Sequence, residues 1–144
     1  MIRKSTEHDI GRLVDIWLDG SIRAHHFIDR DYWISKKEEM AQVYLPMAET
    51  YVEDEGNGPV GFLSLVDGYL AALFVDSAHA GQGIGRKLLE YATTLKPELE
   101  LKVYRDNAGA CRFYARNGFV VREETVDEAT GAREHVMVWK RADG

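Results

Sequence analysis

Hydrophobic residues recur along this chain with two different periods, and each change of period marks a predicted element. The apolar residues that lie three or four positions apart near the start, as on one face of a helix, are Ile10, Leu13, Val14 and Trp17. Thr6 is a residue type that often caps the start of a helix. We therefore predict a first helix that follows Thr6 and runs to about residue 22.

A second helix is predicted over Asp31–Met47, after a break in the apolar pattern between Ala24 and Asp29. Its charged run, Lys36–Glu39, is expected to face solvent. The residues expected on its buried side are Trp33, Met40, Val43, Tyr44 and Met47. Two further helices are predicted near residues 84–95 and 107–116.

Strands are predicted where the apolar period falls to two, or where a short apolar run lies between turns. They are Ile2–Lys4, Thr50–Asp54, Pro59–Val66, Tyr69–Val75, Leu99–Val103, Phe119–Val126 and Glu134–Trp139. This order of elements predicts a single α/β (α+β) domain over residues 1–144. Its core is one mixed, mostly antiparallel sheet of about seven strands with four flanking helices.

Charge and composition exclude several classes of function. The formal net charge of −6 and the lack of a basic stripe argue against nucleic-acid binding. No apolar run approaches the roughly 20 residues that cross a bilayer, so no membrane association is expected. The polar first residues and the single cysteine, Cys111, favour a cytoplasmic location. The five histidines show no ligand spacing, and no metal site is predicted.

The stretch Gly81-Gln82-Gly83-Ile84-Gly85 lies between a predicted strand and a predicted helix. Such a junction presents free backbone N–H groups and the positive end of the helix dipole, which predicts a phosphate site. It is a poor P-loop, because Leu88 stands where that motif needs a hydroxyl. It also lacks the third glycine of a dinucleotide-binding fingerprint.

Two motifs together resemble the GCN5-related N-acetyltransferase (GNAT) family. Gly83-Ile84-Gly85 matches the glycines of that family's pyrophosphate loop, although Ala80 stands where the family prefers Arg or Gln. Asn107–Phe119 matches a later family motif, Asn-x-x-Ala-x-x-Phe-Tyr-x-x-x-Gly-Phe, at every signature position. The resemblance extends over nearly the whole chain and is closest to small bacterial members of the family.

The resemblance implies the GNAT fold, with two central strands that splay apart and hold acetyl-coenzyme A (acetyl-CoA) between them. The backbone of the splayed strands would bind the pantetheine arm as an added strand would. The residues implied in binding the coenzyme are Phe74, Val75, Gly81, Gln82, Gly83, Ile84, Gly85, Arg86, Lys87, Asn107 and Tyr114. The backbone of the loop and the charge of Arg86 are expected to compensate for Ala80.

The family transfers acetyl directly to an amine, and this implies two proton transfers. Tyr114 is predicted to donate a proton to the leaving thiolate, since a phenol with a pKa near 10 is protonated at neutral pH. His25, which the resemblance places over the acceptor site, is the predicted base. A water chain or desolvation of the amine could replace it. His25, Phe27 and Tyr69 are predicted to contact the acceptor.

The function implied is acetyl-CoA-dependent acetylation of a primary amine, with a protein lysine or an N-terminal amine favoured. Acetylation of a small amine, such as an amino acid, polyamine or antibiotic, is one alternative. A non-catalytic acyl-CoA sensor with the same fold is another, because a fold does not by itself determine function. The protein is expected to be a monomer or a homodimer.

Overall fold

The computed structural model describes residues 1–142, which form a seven-stranded sheet with the strand order β1-β2-β3-β4-β5-β7-β6. The strands are β1 (Ile2–Lys4), β2 (Glu49–Asp54), β3 (Pro59–Val66), β4 (Tyr69–Val75), β5 (Glu98–Tyr104), β6 (Val120–Val126) and β7 (Arg133–Lys140). All neighbouring strands pair antiparallel except β4 and β5, which are parallel. The predicted mixed, mostly antiparallel sheet is therefore confirmed.

Helices cover both faces of the sheet. They are α1 (Ile10–Ala24), α2 (Arg30–Ser35), α3 (Lys37–Glu39), α4 (Leu45–Met47), α5 (Ile84–Leu95) and α6 (Ala108–Arg116), with a π-helical turn over Met40–Tyr44 between α3 and α4. A 3₁₀ turn at Glu7–Asp9 precedes α1, and the Asp9 carboxylate accepts a hydrogen bond from the Thr6 backbone N–H at 2.8 Å. Thr6 thus caps the 3₁₀ turn that leads into α1, whereas Asp9 is the N-cap residue of α1 itself.

The second predicted helix differs from the prediction. It breaks at Lys36, and the π-helical turn that follows rotates the later side chains relative to a regular helix. Leu45 is buried as a result, whereas Val43, Tyr44 and Met47 are 50%, 50% and 63% exposed. The prediction that these three residues are buried was wrong, because it assumed a constant period of 3.6.

Each face of the sheet carries its own hydrophobic core. On one face, α5 and α6 pack Leu88, Leu89 and Tyr114 against strand residues that include Leu63 and Leu101. On the other face, α1 and α2 pack a second cluster, whose buried members include Leu13, Trp17, Trp33, Phe62 and Ala72. The alternation of side chains along each strand supplies both clusters.

The central strands β4 and β5 separate after a single pair. Tyr69 pairs with Glu100, and no later residue of β4 pairs with β5 in the described chain. The β5-facing backbone of β4 between Leu70 and Val75 therefore has no strand partner. The predicted splay is confirmed, and it opens a gap in the middle of the sheet between α1 and α6.

Within residues 1–142, the structure contains no helix with the length and apolar character of a membrane span. No three or more His, Cys, Asp or Glu side chains in the same residues come together in an arrangement that could ligate a metal ion.

Candidate active site

The loop between β4 and α5 has left-handed backbone at Gly81 and at Gly83, both with φ of +79°. Residues with a Cβ rarely adopt this conformation, so glycine is required there. Helix α5 begins at Ile84. The first backbone N–H that bonds to the carbonyl four residues earlier is that of Lys87, which donates to Gly83 O at 3.0 Å. The N–H groups of the first turn have no partner within the helix, and an anion can accept hydrogen bonds from them.

The other predicted loop residues surround this turn. Gln82 is exposed in the loop. Gly85 lies in the first turn of α5, where an added Cβ would meet Phe113 at 3.6 Å and Val75 at 3.7 Å, both ordinary contacts. A Cβ would therefore fit at residue 85, and the packing of α5 against α6 and the end of β4 does not require glycine there.

The two predicted cations near the loop both have carboxylate partners. Arg86 pairs with Glu90 at 3.0 Å on the exposed surface of α5, a weak interaction that leaves the guanidinium accessible. Lys87 instead donates to the buried carboxylate of Glu53 on β2 at 2.8 Å, and the amino group of Met1 donates to the same oxygen. The ammonium of Lys87 has a structural role, and a phosphate would have to compete with Glu53 for it.

A cavity of about 220 Å³ lies where β4 and β5 diverge. Its walls come from the end of α1, from both splayed strands, from the start of α6 and from β7. The predicted site residues that line it are His25, Phe74, Asn107 and Tyr114. Val75 continues β4 toward the glycine loop, so the cavity and the anion site are joined by one strand.

Tyr114 forms the α6 side of this cavity. Its side chain is buried and packs edge-to-face against Phe113 at 5.2 Å and Phe119 at 5.5 Å. Burial, together with the nearby Tyr69, raises the pKa of Tyr114 above its usual value. The phenol therefore holds its proton at neutral pH and can donate it to a stronger base.

His25 lies opposite, at the end of α1, inside an aromatic cluster. It stacks on Trp33 at 5.0 Å and contacts Tyr104 and Phe27 edge-on at 4.9 and 5.7 Å. Phe27 thus packs on His25 as part of the cluster. Burial lowers the pKa of His25 to about 4, so the imidazole is neutral at physiological pH.

The imidazole of His25 is also held by Asn107, which caps α6. Asn107 Oδ1 accepts the Ala110 N–H at 3.2 Å, so its Nδ2 is the donor to His25 Nε2 at 3.3 Å. The proton of neutral His25 then resides on Nδ1, which is buried without a partner in the described residues. This geometry does not suit the predicted role of general base, because the basic lone pair is already bonded and protonation is disfavoured.

A second cavity of about 470 Å³ adjoins the first, and Trp17, Trp33, Ala71 and Ala72 line both. Its walls are largely apolar and come from the segment after α1, from β3 and β4, and from the β6–β7 loop through Ala129. The aromatic and thioether residues in these walls include Tyr32, Tyr44, Met47 and the predicted acceptor residue Tyr69. Two of the three residues exposed at the π-helical turn, Tyr44 and Met47, therefore form part of this cavity.

Two acidic residues that the sequence did not single out lie beside Tyr104, which lines the first cavity. Asp127, in the β6–β7 loop, accepts the hydroxyl of Tyr104 at 2.5 Å. Glu134, on β7, is the cross-strand partner of Tyr104 and lines the first cavity. Burial and the negative charge of Asp127 raise the pKa of Glu134. Neither residue belongs to a sequence motif, and only the strand register places Glu134 in the cavity.

This combination of an anion-binding helix start, splayed parallel strands and a tyrosine between them agrees with the comparisons to known proteins. Residues 46–121, more than half of the chain, match the acetyltransferase (GNAT) domain. The chain belongs to this family. The GNAT fold and the resemblance to small bacterial members of the family are both confirmed.

Relatives and solved structures extend the similarity to the whole chain. The chain is 31% identical over 140 residues to peptidyl-lysine N-acetyltransferase YiaC of Escherichia coli K12, and the match covers 96% of each chain. It is 36% identical to peptidyl-lysine N-acetyltransferase YjaB of Salmonella typhimurium LT2, over 83% of each chain. The solution structure of apo YjaB from Escherichia coli has a TM-score of 0.87, 31% identity, and coverage of 99% of this chain and 98% of its own.

Family membership confirms the class of enzyme. The protein is an N-acetyltransferase that uses acetyl-CoA and acts on an amine acceptor. The glycine loop fits the diphosphate of this cosubstrate, because both left-handed glycines leave open space beside free N–H groups. The unpaired edge of β4 likewise fits an amide-rich chain.

Proposed function

We propose that the protein acetylates the side-chain amine of lysine in a protein or peptide. The observation that carries the proposal is the connection between the two cavities at the splay of β4 and β5. The larger cavity has apolar and aromatic walls, which suit the four methylene groups of a lysine side chain. The smaller one has Tyr114 on one side and Glu134 on another, so that the amine would reach polar groups only at its end.

The printed names of the relatives support the same acceptor. YiaC of Escherichia coli and YjaB of Salmonella typhimurium are both named peptidyl-lysine N-acetyltransferases, and this chain aligns with them at 31% and 36% identity. The fold alone would not select lysine among amines, because site residues rather than fold determine the acceptor.

In the proposed reaction, the glycine loop binds the diphosphate through backbone N–H groups, and Phe74 and Val75 align the pantetheine arm along β4. The thioester supplies an activated acetyl group and a thiolate leaving group. The neutral amine attacks the thioester carbon, a C–N bond forms and the C–S bond breaks. Tyr114 gives its proton to the departing sulfur and regains one from the nitrogen as the amide forms.

A peptide panel tests this proposal. One peptide carries a single internal lysine and a blocked N-terminus, a second has arginine in place of that lysine, and a third has a free N-terminus and no lysine. Thiol release and a mass increase of one acetyl group should occur with the first peptide alone. Acetylation of only the third peptide, or of only free amino acids and polyamines, would contradict the lysine proposal while retaining the enzyme class.

A further inference from the structure

Glu134 is the only carboxylate among the residues that line the cavity at the strand splay. It is half-buried, and in residues 1–142 its carboxylate has neither an ion pair nor a hydrogen bond. Partial burial without a partner disfavours the charged form of the carboxylate and raises its pKa, and groups with such shifts are often found at functional sites. This chain therefore holds an acidic group in its acetyl-transfer cavity that its fold does not use.

The other polar groups in the cavity are poorly suited to take a proton from an amine. The Nε2 lone pair of His25 is bonded to Asn107. The hydroxyl of Tyr104 already donates to Asp127, and Tyr114 is held protonated by its burial. Lys102 carries a positive charge of its own. Among the described residues that line the cavity, Glu134 is the remaining group suited to accept a proton, and burial raises its pKa above the ordinary glutamate value.

We propose that Glu134 is the proton acceptor for the incoming lysine, taking one proton from its ammonium group directly or through one water. This rests on the proposed function. Glu134 gives that proton to solvent through the wider cavity after the ammonium has become a neutral amine. The second proton, lost from nitrogen as the amide forms, restores Tyr114, so each turnover releases one proton to solvent and one thiol.

The position of Glu134 suits an ammonium that arrives from the wider cavity. Burial is the main cause of the raised pKa of Tyr32 on α2 and of Tyr69 on β4, and the charge of Glu134 adds to both shifts. Both tyrosines line that cavity. Glu134 lines the smaller cavity, which shares Trp33, Ala71 and Ala72 with the wider one, so an ammonium that enters the smaller cavity reaches the wall that carries Glu134. Tyrosine rings beside a carboxylate also favour a cation before it loses its proton.

Several charged or titratable groups on neighbouring elements lie near Glu134 or line the same cavity. They are Asp127 in the β6–β7 loop, Lys102 and Tyr104 on β5, Tyr69 on β4, Tyr32 on α2 and His25 at the end of α1. Asp127 and burial favour the protonated acid, whereas Lys102 favours the carboxylate. Burial is the largest of these effects, so the pKa of Glu134 lies above the ordinary glutamate value.

The test compares the pH dependence of kcat on the lysine peptide for the wild type, Glu134→Gln and the control Glu123→Gln. Glu123 lies on the exposed edge strand β6, outside both cavities. At pH 7 we expect Glu134→Gln to lower kcat about 100-fold, the size typical of a lost general base. The control should retain the wild-type rate, and all three proteins should bind coenzyme A equally.

The shape of the pH profile separates a base from a structural residue. A lysine amine has a pKa near 10.4, so without a base the rate should rise with pH as free amine forms in solution. The defect of Glu134→Gln should therefore shrink from about 100-fold at pH 7 to a few-fold near pH 9.5. A defect that stays constant over this range, or one seen in KM alone, would overturn the proposal.

A readout independent of turnover is the carboxyl NMR resonance that disappears in Glu134→Gln. The pKa measured from this resonance should lie above the ordinary glutamate value. A pKa at or below that value would contradict the proposed role. If the wild type is inactive on the lysine peptide, the proposed function fails and the inference fails with it. If the wild type is active and Glu134→Gln matches it, only the inference fails.

Discussion

The side-chain amide of Asn107, at the start of α6, donates to Nε2 of His25, at the end of α1, over 3.3 Å. These residues lie on opposite sides of the gap between β4 and β5, and both line the cavity within it. The same Asn107 side chain caps α6 through the N–H of Ala110. One side chain therefore stabilises the helix that carries Tyr114 and joins it to the opposite wall.

Replacing Asn107 separates these two contacts. Asn107→Ala removes both and should lower the free energy of unfolding by about 1 kcal/mol, the usual cost of a lost N-cap. Asn107→Ser keeps a cap oxygen but loses the amide donor to His25, so its stability should stay within a few tenths of a kcal/mol of wild type. Urea denaturation of the three proteins measures the difference. Equal losses in both variants would show that the contact with His25, rather than the cap, provides the stability.

The buried His25 makes stability depend on pH. Its folded pKa of about 4 lies below the ordinary histidine value of 6.5, so between these values the unfolded chain binds more protons. Stability should therefore fall as pH drops from 6.5 toward 4, by up to about 3 kcal/mol from this residue.

The check is urea unfolding at several pH values for the wild type, His25→Gln and the control His26→Gln. His26 is exposed beside the buried site, so its replacement removes an imidazole from the surface. His25→Gln should lose stability at pH 7 but vary less between pH 6.5 and 4.5 than the wild type does. If the free energy of unfolding of His25→Gln falls with pH as steeply as that of the wild type, the pH dependence arises from carboxylates instead.

Local patterns were sufficient to predict the strands, the first helix, the glycine loop and the motif around Tyr114. Each of these depends on residues close together in sequence, such as the glycines at 81 and 83 that a left-handed turn requires. The sequence match to the family supplied the splay of the central strands, which periodicity does not encode. The order of the elements alone was compatible with other mixed sheets.

Features that depend on tertiary register could not be predicted. Glu134 reaches the cavity because the register between β7 and β5 places it opposite Tyr104. These two residues lie 30 positions apart in the sequence. The burial that lowers the pKa of His25 comes from Trp33 and Tyr104, which lie on different elements. The π-helical turn that exposes Tyr44 and Met47 has no marker in the periodic pattern.

Gly83 should be required for coenzyme binding. Its φ of +79° costs a residue with a Cβ about 1 to 2 kcal/mol, and the loop would relax away from the geometry that aligns its N–H groups. Gly83→Ala should weaken binding of coenzyme A by at least 10-fold in calorimetry. The control is Gly11→Ala, in the exposed part of α1, where an added Cβ meets nothing within 4 Å. This variant should bind coenzyme A with the wild-type affinity. Unchanged affinity in Gly83→Ala would contradict the proposed backbone site.

Tyr114→Phe should separate catalysis from binding. The phenyl ring keeps the packing against Phe113 and Phe119, so the fold and coenzyme affinity should change little. Loss of the hydroxyl removes the proton donor to the thiolate and should lower kcat by about 100-fold. Steady-state kinetics with the lysine peptide and coenzyme binding by calorimetry measure the two effects. A variant with wild-type kcat would exclude Tyr114 as the acid.

The hydrogen bond from Tyr104 to Asp127 should hold the β6–β7 loop against the wider cavity. Asp127 also accepts the Thr130 hydroxyl and the Ala129 N–H, both at 3.1 Å, and Ala129 lines the wider cavity. Because the acceptor is a charged carboxylate, Tyr104→Phe should lower the free energy of unfolding by about 1 to 2 kcal/mol. The opened loop should also raise KM for the lysine peptide.

A double-mutant cycle with Asp127→Asn isolates this contact. If the hydrogen bond provides the stability, the second substitution should add little to the loss caused by the first. The double variant, Tyr104→Phe with Asp127→Asn, should then have a free energy of unfolding within a few tenths of a kcal/mol of the less stable single variant. The coupling energy should then be about 1 kcal/mol, and KM should rise by the same factor in each single variant and in the pair. Strictly additive losses would show that Tyr104 and Asp127 contribute to stability independently, and that the loop is held by its own turn.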